Sequence, residues 1–185
     1  MGLPKRCRRS LVDDRPQSAK RSRCPGALQR LYQQKQDTRG LLRVAKRALE
    51  LNPADLVAAN NSAGLGLLLS ADSTSRRLAA RLHREHPANR AFAVTYAYAL
   101  QTEGKLADGL KVMESLKEDE LRHPSIAAYY VIMLVENGNL DRARSYLVNA
   151  KHAPLLPEEQ KLLAAATQKL LAGETGNFAA GAVRK

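Results

Sequence analysis

Residues 91–116 read AFAVTYAYALQTEGKLADGLKVMESL, and residues 126–150 read IAAYYVIMLVENGNLDRARSYLVNA. With position i laid over position i+34, Tyr96 falls on Tyr130, Leu100 on Leu134, Gly104 on Gly138 and Leu106 on Leu140. Further along, Gly109 falls on Ala143, Met113 on Leu147 and Leu116 on Ala150. Each copy holds two segments of helical apolar periodicity broken by a Gly among polar residues, which spells helix, tight turn, helix. A single helix pair cannot bury its apolar face alone, so a repeat of this length predicts that successive pairs stack.

The same register extends upstream. LLRVAKRALELNP, residues 41–53, reads as a second helix with Leu42, Ala45, Ala48 and Leu49 on one face and Pro53 as its stop. A second helix-ending proline, Pro87, follows Pro53 at the same interval. Between them LVAANNSAGLGLLLS predicts a first helix and TSRRLAARLHREHP its partner, with the turn at Ser70–Asp72 and Asp72 or Ser73 as cap. Pro25 to Gln36, with Leu28 and Tyr32, can be read as the short first helix of one more repeat. Downstream, LLPEEQKLLAAATQKLLAG reads as a terminal helix: Pro157 suits its first turn, Glu158 and Glu159 its positive end, and Gly173 its C-cap. Its stripe of Leu162, Leu163, Ala166 and Leu170 leaves Lys161, Gln168 and Lys169 on a wet side, as the closing helix of a stack requires.

These residues resemble the tetratricopeptide repeat in a degenerate form. The small Ala97 on the first helix, the turn glycines Gly104 and Gly138, and the small Gly109 and Ala143 on the second carry the likeness; Ala93 and Ala127 stand where the family has Trp. The resemblance implies an all-α chain, a right-handed superhelical stack of helix-turn-helix repeats. They span 25–55, 56–89, 90–123 and 124–156, with a capping helix over 157–173 and a frayed tail over 174–185. It also implies binding on a concave face lined by first helices, at Asn60, Asn61, Val94, Tyr98, Gln101, Tyr129, Ile132 and Glu136. No Lys or Arg joins the two asparagines, which argues against capture of a peptide's terminal carboxylate. Two tyrosines among aliphatics suit an extended or helical segment with apolar anchors, unless the tyrosines simply pack between repeats.

Composition agrees with stacked helices. Trp is absent and aromatics make up 4% of the 185 residues, so a core of Leu, Ala and Val at close helix contacts is expected. The formal charge is +12, of which positions 1–24 supply +6 and positions 25–185, with 22 basic and 16 acidic side chains, supply the rest. That leading segment reads either as a basic arm for RNA, DNA or an anionic membrane, as an Arg-rich targeting peptide, or as a leader too polar to fold. It has no apolar run of a secretory signal, and no stretch approaches the roughly 20 apolar residues of a membrane span. Cys7 and Cys24, both in it, lack companions at zinc-ligand spacing and read as free thiols in a reducing, cytoplasmic setting.

Catalytic patterns are missing. Gly64 and Gly66 lack the third Gly of a dinucleotide fingerprint and fit close helix packing instead. His83, His86 and His123 fall near predicted helix ends, and Glu118, Asp119 and Glu120 read as a solvated rim. The expectation is a protein-interaction scaffold for a protein or peptide ligand, with no catalysis, metal or cofactor. Two alternatives stay open: a helical-repeat nucleic-acid binder using the basic leader, and a regulatory appendage of an enzyme or secretion complex. Nearly uncharged first helices, Val57 to Leu69 and Ala91 to Gln101, speak against nucleic acid on the inner face.

Overall fold

Three helices begin at the interval of the sequence repeat, at Leu56, Arg90 and Pro124, behind the N-caps Asp55, Asn89 and His123. The side chain of Asp55 accepts from the Ala58 amide (2.9 Å) and that of Asn89 from Ala91 (3.0 Å), satisfying amides that a helix start leaves unpaired. A computed structural model describes residues 25–181, with side chains described over 26–172. The expectations placed on residues 1–24, including Cys7 and Cys24, lie outside them. Among the described residues the fold is all-helical and without strands.

In chain order the helices are α1 (Pro25–Gln34), α2 (Thr38–Leu51), α3 (Leu56–Ser70), α4 (Ser73–Glu85), α5 (Arg90–Thr102), α6 (Leu106–Glu114), α7 (Glu118–Leu121), α8 (Pro124–Glu136), α9 (Leu140–Ala150) and α10 (Pro157–Gly181). Neighbours in sequence pack as pairs, most extensively α8 with α9, α5 with α6 and α2 with α3. Helices α3, α5 and α8 also touch one after another, α3 on α5 and α5 on α8, and so share a face.

The turns follow the sequence reading. Gly104 and Gly138 have φ of +78° and +77°, a backbone region open to glycine and costly for other residues. Where the third turn lacks a glycine, Ala71 itself takes φ +48°, and its amide reaches back to the Gly66 and Leu67 carbonyls. Arg76 donates to the Ala71 carbonyl, and Asp72 caps α4 by accepting from the Ser75 amide (2.8 Å). Gly66 lies so close to the Ser75 side chain that a Cβ would overlap Oγ, so it is the glycine that α3 needs to approach α4.

The largest core cluster gathers Ala97, Leu110 and Met113, most of α8, Ala143, Tyr146 and Ala150, together with Ala166 and Leu170 of α10. Smaller clusters centre on Ala63, Leu67, Ala79 and Tyr98, and on Ala59, Leu82 and Phe92. Ala and Leu supply most of these positions, which lets helices approach closely.

One expectation about an element boundary requires correction. Gly173 is not a C-cap: α10 runs on through it, and through residue 174 of the expected frayed tail, to Gly181. Glycine weakens a helix by about 1 kcal/mol without stopping it, and no proline follows to do so. The acidic run 118–120 is largely exposed, as a solvated rim should be, and it also opens the one-turn helix α7. There Glu118 accepts from the Tyr146 hydroxyl (2.7 Å) and Glu120 from the Lys117 amide (3.1 Å).

Candidate binding face

The face shared by α3, α5 and α8 carries most of the residues named from the sequence. Tyr98 of α5 and Tyr129 of α8 meet edge to face, ring centres 5.1 Å apart. One turn on, Gln101 donates through Nε2 to the Glu136 carboxylate (2.5 Å), linking the same two helices. Asn60 is half-buried, and its side-chain oxygen is buried with no donor facing it among the described residues. The Gln101 carbonyl oxygen is in the same state. Asn61 instead faces a cavity. Two residues are not presented on this face: Ile132 is 4% exposed inside the main core, and Val94 packs partly against that core. Helices α5 and α8 approach closely enough to bury those positions, a distance that periodicity does not carry.

What covers the tyrosines is α10. Its placement differs from that of a helix closing the end of a stack. Between successive pairs, α5 leans mainly on α4 and less on α3, whereas α10 packs chiefly against α8 and only lightly against the preceding α9. It also reaches α3. Leu162 packs into the cluster of Tyr98 and Tyr129. The Tyr129 hydroxyl donates to Glu159 (2.6 Å), whose other oxygen accepts from the Leu156 amide (2.7 Å). Glu158 accepts from the Thr38 hydroxyl of α2, far back in the sequence (2.5 Å). Of the acidic pair that reads as a helix-dipole feature, Glu159 thus ties α10 to α8 and Glu158 ties it to α2.

Burial and the neighbouring carboxylate raise the Tyr129 hydroxyl pKa well above its ordinary value, and burial likewise raises that of Tyr98. Both hydroxyls stay protonated and can act only as donors or weak acceptors, not as bases.

Beside this tie lies a cavity of about 500 Å³. Leu41, Val44, Ala45 and Ala48 of α2, Ala58 and Leu65 of α3, and Leu156 give it apolar walls. Gln29, Gln33 and Gln36, with Asn61, Asp55 and Glu159, supply the polar groups. The lining includes no Lys, Arg, His, Ser or Cys. Of the eight residues named from the sequence only Asn61 lines it. Gln29 and Gln33 stand at i and i+4 on α1, and Gln36 follows in the turn behind it, with φ +54°; that run of glutamines is the one signal that could have pointed here. No other part of the cavity is local in sequence.

Comparison with known proteins gives no match. No family model, no curated protein and no solved structure matches this chain.

Proposed function

We propose that this chain is a protein-interaction scaffold of the tetratricopeptide type. Its helix pairs stack as repeats in a right-handed superhelix, and it holds a segment of a partner protein on the inner face, without chemistry of its own. The regular recurrence of helix starts, caps and positive-φ glycines supports the architecture. The observation that carries the binding reading is the apolar-walled cavity between α1, α2 and α3 with amide side chains among its lining. Its size falls within the range of ligand-holding clefts and takes one or two apolar side chains of an extended or helical segment. Amides fix such a segment by its backbone without demanding a charge. The part of the face beyond the cavity is filled by the chain's own α10, so the partner engages the end near Asn61 rather than Tyr98 and Tyr129.

Tagged full-length chain should recover a partner from extract that Val57→Asp and Asn61→Arg fail to recover. Val57 borders the cavity at 68% exposure, so its replacement leaves the core intact. Melting temperatures within about 2 °C of the parent would assign the loss to the cavity. An identical set of recovered proteins from parent and both variants would remove this reading.

A further inference from the structure

The charge of +12 is unevenly placed. Residues 25–90 hold eleven Lys or Arg against five Asp or Glu, whereas residues 91–185 hold eleven of each. With the eight-to-two excess in residues 1–24, all of the net charge precedes residue 91. On the described helices it is also ordered. In α2, Arg39, Arg43 and Lys46 stand at i, i+4 and i+7, opposite the buried Leu41 and Ala45. In α4, Arg77, Arg81 and Arg84 repeat that spacing opposite the buried Ala79 and Leu82. Arg77 and Arg81 follow Arg43 and Arg47 at the repeat interval, so the two stripes occupy equivalent faces of two helices that both pack on α3.

All of these side chains are exposed. Arg39, Lys46, Arg77, Arg81 and Arg84 have no carboxylate within 4.0 Å among the described residues. Arg43 and Arg47 make exposed ion pairs, with Asp37 at 3.9 Å and Glu50 at 2.8 Å, and Arg43 also lies over the Tyr32 ring. Cations left together in this way repel one another in the folded chain, and a polyanion relieves that repulsion.

We infer that the exposed face of α2 and α4 binds the phosphodiester backbone of a nucleic-acid duplex without reading its sequence. Arginine outnumbers lysine here, and its planar fork matches phosphate oxygens where an ammonium offers a point charge. A membrane surface would ask for large apolar side chains beside the charges, but the exposed Leu51, Leu56 and Val57 gather at the α2–α3 junction, outside both stripes. Single strands are held by stacking successive bases on aromatic rings, and the tyrosine ring beside the α2 stripe, that of Tyr32, is already covered by the Arg43 guanidinium, 5.8 Å from its centre. The surface is separate from the cavity and does not depend on it.

The test is fluorescence anisotropy of the full-length chain with labelled DNA and RNA duplexes of two unrelated sequences, titrated at several salt concentrations. Parent protein should bind both sequences alike, with affinity falling steeply as salt rises. Replacing Arg39, Lys46, Arg77, Arg81 and Arg84 by Gln should weaken binding at least ten-fold at about 100 mM salt. It should also flatten the log–log salt slope by up to about 4–5, since each neutralised phosphate contributes roughly 0.9. A second variant neutralises the Lys and Arg of residues 1–24 alone. The inference fails if the helix variant keeps parental affinity and slope while the leader variant loses both. It fails equally if the parent binds phosphatidylserine vesicles but not the duplexes, or binds neither.

Discussion

At Gly104 and Gly138 nothing lies within 4 Å of where a Cβ would stand, so the demand for glycine comes from the backbone alone. Gly138→Val is therefore expected to cost about 1–3 kcal/mol in urea unfolding, and Gly104→Val a similar amount; negligible losses at both would mean that the helices do not turn there. Gly109 is a different case. The aligned Ala143 suggests that alanine fits, but a Cβ at Gly109 would stand 2.8 Å from the Ala97 carbonyl oxygen and 3.3 Å from the Met133 methyl. A backbone oxygen does not step aside as a side chain can, so Gly109→Ala should lose about 1–3 kcal/mol. Gly64→Ala meets only Thr95 at 3.8 Å and should be neutral or gain up to about 1 kcal/mol of helix propensity. Ala71 carries its left-handed conformation without glycine's freedom, so Ala71→Gly should raise stability by about 0.5–1 kcal/mol. A lowered unfolding midpoint for that variant would contradict the strain assigned to this turn.

Helix starts, caps and turn glycines were legible because each depends on a few adjacent residues, and the sequence repeat writes them more than once. The course of α10 was not. Glu158 and Glu159 carry the pattern that any helix N-terminus favours, and nothing local shows that Thr38 and Tyr129 wait across the fold. For Tyr98 and Tyr129 the sequence left two readings open, groove lining and packing between helices, and their burial under α10 favours the second, because periodicity assigns a side and not an occupant. The helix contacts they make have a pH signature. Tyr98, Tyr129, Tyr130 and Tyr146 all have raised pKa values, through burial first, with Tyr130 pushed up to about 12. Unfolded tyrosines ionise near 10, so the folded chain holds its protons longer, and stability present below about pH 10 is lost as pH rises above it. His83 has the opposite sign. Burial against Tyr96, ring centres 5.0 Å apart, lowers its pKa, so its contribution stands above about pH 6.5 and falls away as pH drops through the folded value. His83→Phe keeps the ring stack and should flatten the acid side of a stability–pH profile. An unchanged profile would show that the His83–Tyr96 contact does not discriminate between the charged and neutral ring.

A chain of helix pairs that touched only their neighbours would unfold piecemeal, because each pair would depend on local contacts alone. The tie formed by α10 changes that expectation, since it joins Thr38 of α2 to Glu158 and packs Leu162 on the tyrosines of α5 and α8. Loss of the α2 end therefore withdraws support from α8, and the reverse holds too. The parent chain should unfold in urea as one transition, with far-ultraviolet circular dichroism and tyrosine fluorescence superimposing. Leu162→Ala removes the apolar half of the tie and Glu158→Ala the polar half. Leu162 is half-buried, so its loss should cost about 1–2 kcal/mol, less than the roughly 2–5 kcal/mol of a fully buried leucine. Glu158→Ala leaves the Thr38 hydroxyl buried without its acceptor, at about 1–3 kcal/mol. The diagnostic outcome is not the midpoint, which any destabilising change would move, but the shape. With both replaced, the two probes should separate and the helical signal should decay over a wider urea range, because the two ends no longer fail together. If the double variant keeps a single sharp transition at a lower midpoint, the neighbour contacts alone hold the molecule together and α10 is only a cover for one face.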